Sequence, residues 1–252
     1  MQNPLLAMGR GLARYLTREA HVHGVTRPTP LPLLRAALRP GDVLLVEGNS
    51  RISTAIKYLT QSSWSHAALY VGDHLAAAGG NPDHCIIEAD TVEGVRTAGL
   101  EELAAYPSRI CRPVGIDEAA ARAVTDFAIA RIGNSYDLRN IFDLARYLMP
   151  TPPVPLAMRR QMISMGSGDP TRAICSTLIA QAFESIRYPI LPFADVADGQ
   201  RPDCPFCVDE VLRLRHHSLY TPRDFDVSPY FAVVKPTIEA GFDHRRLQWV
   251  AA

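Results

Sequence analysis

The sequence predicts an α+β domain in which an antiparallel sheet, or partial barrel, of short strands packs against one buried helix and several others. Three observations predict it. Short apolar runs bounded by turn residues, GDVLLVEG, Ala67 to Val71 and Cys85 to Ala89, read as strands, and the last two lie close enough to pair as a hairpin. The segment TRAICSTLIAQAFESI, Thr171 to Ile186, repeats Ile174, Leu178, Ile179, Ala182, Phe183 and Ile186 at three- and four-residue spacing, which makes one apolar helix face. Finally, no linker divides the 252 residues into two cores, and that length suffices for one large domain.

In chain order, residues 4 to 19 place Leu5, Met8, Leu12, Tyr15 and Leu16 on one helix face, with Arg10, Arg14 and Arg18 elsewhere around it. Such a helix suits peripheral contact with an anionic membrane surface, although packing on its own domain is the more frequent use. HVHGVTRPTPLP reads as a connector because of its prolines and Gly24. A turn at Gly41 and Asp42 then leads into a short buried strand. NSRISTAIKYLT forms a helix with Asn49 or Ser50 as cap and Ile52, Ala55, Ile56 and Leu59 inward. A strand begins at His66, and small residues from Ala76 to Gly80 loop to the next strand. EGVRTAG is another strand, LEELAAYP a short helix, and SRICRPV a strand. Asp117 caps a helix whose inner face is Ala120, Val124, Phe127, Ala128 and Ile132, with Gly133 as its stop. Asp137 caps a further helix, which ends where four prolines fall within residues 150 to 155. After the cysteine helix RYPILPFAD is irregular, and the chain ends its domain with a strand from Tyr230 to Val234.

Composition excludes some functions. With 26 basic and 26 acidic side chains and no basic stretch interleaved with aromatics, nucleic acid is not an expected partner. No run approaches the eighteen or so apolar residues of a membrane span, and Leu5 to Met8 is too short for a signal-peptide core. Five cysteines at irregular spacing do not form a disulfide framework. The expected setting is reducing and cytoplasmic, which suits a free thiol, and no cofactor is implied.

Cys175 sits in the first turn of its helix, where unpaired N–H groups and the helix dipole favour thiolate, the nucleophilic form. Position alone does not make it a nucleophile, since free cysteines are also ordinary core residues. A base is available on the strand at His66. If the following loop is centred near Ala77, Glu88 lies directly opposite His66, and a carboxylate there would orient the imidazole. These residues come from different elements, and spacing alone does not bring them together. A zinc site from Cys204, Cys207, His216 and His217 is a weak candidate, because the ligands crowd within fourteen residues and adjacent histidines rarely share one ion.

The runs GDVLLVEGNSRISTAIKYL, QSSWSHAALYVG, IIEAD, GNSYD, ICSTLIAQAF and YTPRDFDVSPYFAVV, in that order, resemble the YiiX-like branch of the permuted papain-like cysteine hydrolases, in the NlpC superfamily. The resemblance spans roughly residues 40 to 235 and implies a circularly permuted papain-like fold, in which the histidine strand precedes the cysteine helix. It implies Cys175 as nucleophile, His66 as base and Glu88 as the residue that orients it. Tyr136, Ser65 and Ser176 are placed nearby, on the substrate side. On this reading residues 1–40 are an N-terminal helix and connector, 41–235 the catalytic domain with insertions at 149–170 and 195–218, and 236–252 a tail. The implied activity is hydrolysis of an amide or ester through a Cys175 thioester, on a small-molecule, lipid or peptide substrate. Acyl transfer of the lecithin retinol acyltransferase type is the alternative within enzymes, and a lipid- or peptide-binding module that keeps the fold is the alternative outside them.

Overall fold

The computed structural model describes residues 27–90, 93–134, 174–201, 204–213 and 215–246. In chain order they form α1 (Leu31–Ala37), β1 (Val43–Val46), α2 (Arg51–Thr60), β2 (His66–Tyr70), α3 (His74–Ala77), β3 (Ile86–Asp90), β4 (Gly94–Ala98), α4 (Leu100–Ala104) and β5 (Ser108–Pro113). There follow α5 (Glu118–Ile129), α6 (Ile174–Ser185), β6 (Phe193–Arg201), β7 (Cys204–Arg213), α7 (Pro222–Val227), β8 (Phe231–Val234) and α8 (Pro236–Glu239). Six strands make one sheet in the order β4-β3-β2-β1-β5-β8, and every neighbouring pair is antiparallel.

The central strand explains the layering. All four residues of β1 are buried, and alternate side chains point to opposite faces. Val43 and Leu45 join a core with Ala67, Leu69 and Ile87 of the sheet, Val124 and Ala128 of α5, and Leu178, Ile179, Ala182 and Phe183 of α6. Leu44 and Val46 join a second core with Ala68, Ile86 and Ile110 beneath Leu34 of α1 and Leu100 and Leu103 of α4. The sheet is therefore covered on both faces, which is why β1 reads as an unbroken apolar run rather than an alternating one.

The local signals act as expected at several helix starts. The Ser50 hydroxyl accepts from the Ser53 N–H at 3.1 Å, and Asp117 Oδ1 accepts from the Ala120 N–H at 2.7 Å. Other expectations are corrected. Leu31–Ala37, read as the end of a connector, is a helix with Leu34 and Ala37 buried, because Pro32 falls in the first turn, where its missing N–H costs nothing. The loop after β2 opens with the one-turn helix α3. Helix α5 ends at Ile129, so Ile132 lies beyond it and is 38% exposed, and Ala121 and Thr125 complete the buried face instead.

RYPILPFAD is irregular through Pro192, and from Phe193 the chain enters β6, which pairs with β7 of the CPFC insertion as an antiparallel hairpin with shifts of register. Helix α7 was not foreseen, although Thr221 and Asp224 make a reciprocal capping box at its start. In the 236–252 tail, α8 packs against α1. The helix at 4–19, the helix capped by Asp137, Tyr136 and the 149–170 insertion lie outside the described residues.

Candidate active site

Strand β2 begins at His66, and its last pairing with β1 joins His66 to Val46. On its other side β2 is paired to β3 at Leu69↔Ile87 and Tyr70↔Ile86, and no pair is formed nearer His66. Where that ladder stops, Cys175 faces the Ala67 N–H, which favours its thiolate. Helix α6, which packs on both β2 and β3, supplies this cysteine from its first turn. Cys175 is 6% exposed and lies beside His66, and Ser176 Oγ is 4.0 Å from its sulfur.

His66 Nε2 is 2.6 Å from Glu88 Oε2. A carboxylate only accepts, so the Nε2 proton points to Glu88. The expected register is corrected here. The observed pairs differ by two residues from one that sets His66 directly opposite Glu88, so Glu88 is a diagonal neighbour. A shift of two keeps both side chains on one face, and long side chains reach across a diagonal.

Glu88 is 3% exposed, and its second oxygen, Oε1, accepts from Arg96 Nη2 at 2.5 Å. Arg96 escaped the reading of the sequence. It is the direct cross-strand partner of Glu88, and the short turn between IIEAD and EGVRTAG was the signal that could have found it. Arg96 also reaches Glu102 of α4 at 3.1 Å and Glu93 at 3.7 Å.

The electrostatics separate the thiols. Burial alone would push the Cys175 thiol up, but the adjacent His66, the Ala67 N–H and Ser176 outweigh it and hold the thiol below its ordinary value. Burial would likewise pull His66 down, yet the Cys175 and Glu88 charges raise it to about 10. For Glu88, burial is overcome by His66 and Arg96, which bring it to about 2. Cys111 is pushed up to about 12, chiefly by burial, and Cys85 is raised for the same reason. Of Cys85, Cys111 and Cys175, only Cys175 is shifted toward the thiolate.

The remaining expected residues behave differently. Ser65 is buried and its hydroxyl accepts from the Gly48 N–H at 2.9 Å, so it is spent on the turn after β1. A Cβ at Gly48 would stand 2.4 Å from Ser53 Oγ, which explains the glycine there. Cys204 and Cys207 fall on β7. No group of three or more His, Cys, Asp or Glu side chains is placed to hold a metal among the described residues.

Residues 37–147 match the model of a family described as permuted papain-like amidase enzyme, YaeF/YiiX, C92 family. Over those residues the chain is similar to this permuted papain-like family. The match supports an enzyme of the family's cysteine peptidase and amidase class. The match contains His66 and Glu88 and ends before the Cys175 helix. Among solved structures, the crystal structure of metalloprotein yiiX from Escherichia coli O157:H7 is similar at 16% identity and a TM-score of 0.47, over 79% of this chain and 97% of that one. No curated protein matches the chain. No described helix is long and apolar enough to cross a membrane.

Proposed function

We propose that this permuted papain-like enzyme cleaves an amide or ester through a thioester on Cys175. The observation that carries the proposal is the placing of the buried Cys175 beside His66, whose Nε2 is 2.6 Å from Glu88 Oε2, so that the thiol is lowered and the imidazole raised. The Cys175 thiolate attacks the acyl carbonyl carbon, and the carbonyl electrons move onto oxygen. The oxyanion is stabilised in part by the Cys175 N–H at the start of α6. Collapse expels the amine or alcohol, which takes its proton from the His66 imidazolium. Neutral His66 then removes a proton from water as it attacks the thioester, the acid is released, and the thiolate and imidazolium are restored.

The family description supports the amide as the bond broken. A lipid, acylated or peptide compound remains the substrate class proposed, in a compartment that keeps the thiol reduced. Incubation of the full chain with an activated acyl amide, followed by intact-mass measurement, tests the mechanism. One acyl group is expected on Cys175, with release into water, and Cys175→Ala is expected to lose labelling and turnover while it stays folded. Full turnover by Cys175→Ala would exclude the proposal. The same measurement with an added alcohol or amine separates hydrolysis from acyl transfer.

A further inference from the structure

The side chain of Glu88 ends in a torsion that is broad and nearly two-fold, so a carboxylate bonded only to His66 would turn easily. Arg96 removes that freedom by taking the other oxygen, Oε1, at 2.5 Å. The guanidinium is itself fixed from two directions. Its strand position is set by the Glu88↔Arg96 pairing, and Nη2 also donates to Glu102 on α4 at 3.1 Å. From the geometry we infer that Arg96 is a positioning residue for the candidate reaction, which locks the Glu88 carboxylate so that its free oxygen faces His66.

The inference rests on the reading of Cys175 and His66 as nucleophile and base. Its chemical consequence concerns where a proton stays. A carboxylate bonded to a guanidinium remains ionised beside an imidazolium, so the proton is held on His66, where the leaving group can take it. The charged groups that face Glu88 are His66 from β2 and Arg96 from β4; Cys175 from α6 faces His66, and Asp90 from β3, Glu93 from the β3 to β4 turn and Glu102 from α4 face Arg96. Along the direct contacts the signs alternate from the thiolate through imidazolium, Glu88 and Arg96 to Glu102. This low setting of Glu88 agrees with the direction in which both His66 and Arg96 push it.

The test is the pH dependence of Cys175 alkylation by iodoacetamide, read by mass spectrometry of its peptide in the full-length protein and in Arg96→Gln and Arg96→Lys. The wild type is expected to react well below the ordinary thiol range of about 8.5. Loss of the clamp is expected to move the acid limb of that profile upward by about one pH unit in Arg96→Gln, because a turned or protonated Glu88 supports the imidazolium less. Arg96→Lys, which keeps a charge but not the fork, should move it by less in the same direction. A folded Arg96→Gln whose limb is unmoved or moves down overturns the inference. Should Arg96→Gln not fold, the lysine variant decides, an upward shift supporting the clamp and no shift overturning it. A wild type that reacts only in the ordinary thiol range overturns the nucleophile–base reading itself and the clamp with it.

Discussion

At Glu88 two donors converge on one buried carboxylate, and an amide in its place can accept from only one of them. In Glu88→Gln the amide nitrogen must face either the His66 Nε2 proton or the Arg96 Nη2, so one of the two contacts is lost. Turnover is expected to fall by about a hundredfold or more with the circular dichroism unchanged, and wild-type rates in the variant would contradict the role proposed for it. Stability should carry the same signature. Glu88 has its pKa lowered from 4.5 to about 2, so its contribution is present above pH 4.5 and is lost as pH falls toward 2. His66 has its pKa raised from 6.5 to about 10, so its contribution is present below pH 6.5 and is lost as pH rises toward 10. The difference in Tm between wild type and Glu88→Gln is therefore expected to be widest between pH 4.5 and 6.5. A gap that stays constant on acidification below that window would refute the assignment.

At the scale of an element, α7 has six residues, too few for a helix to hold itself together in water. Its stability comes from what it docks on. Phe225 is fully buried and meets Phe231 edge to face at 5.6 Å. Asp226 accepts from Trp64 Nε1 at 2.9 Å and from Arg109 Nη1 at 2.5 Å, while the Arg109 guanidinium lies 4.9 Å over the Trp64 ring. One carboxylate thus ties α7 to β5 and to the segment leading into His66. Asp226→Ala leaves the nearly buried Trp64 N–H without its acceptor and should cost about 1–3 kcal/mol, measurable as a lower denaturant midpoint. The capping box of this helix was written in Thr221 and Asp224, whereas the partners of Asp226 lie more than a hundred residues away and left no local trace.

For the molecule as a whole, the two ends of β1 have separate duties. Its last residue pairs with His66, beside the candidate site. At its beginning Asp42 is 1% exposed and accepts from Arg112 Nε at 2.9 Å, Arg112 Nη2 at 2.7 Å and the Arg39 N–H at 2.8 Å. Arg112 also donates to the Ala37 carbonyl, so this pair fastens α1, β1 and β5 together. Burial pushes the Asp42 carboxyl up and Arg112 opposes it, so removal of the arginine strands a buried acid. Arg112→Met is expected to lower stability by about 3–5 kcal/mol in denaturant unfolding. It should leave the pH profile of Cys175 alkylation where it was, and a shift of that profile would show that the two ends are coupled.

Elements whose cause is local were legible in the residues: the apolar strand runs, the Ser50 and Asp117 caps, the helix that carries Cys175, and the order of histidine before cysteine. These depend on spacing and on neighbours within a turn or two. The register between β2 and β3 depended on the centre of their connection, which the observed pairs put at residue 78 rather than 77. Displacing the centre by one residue moves the register by two, which preserves the face and explains why His66 and Glu88 still meet. Long-range packing fixed the rest: Cys175 enters where the β2 to β3 ladder stops, Arg96 takes the second oxygen of Glu88, and Ser65 is spent on a turn. It also separated Cys175 from Cys85 and Cys111, because a thiol's ionisation is set by the charges and N–H groups that other elements bring to it.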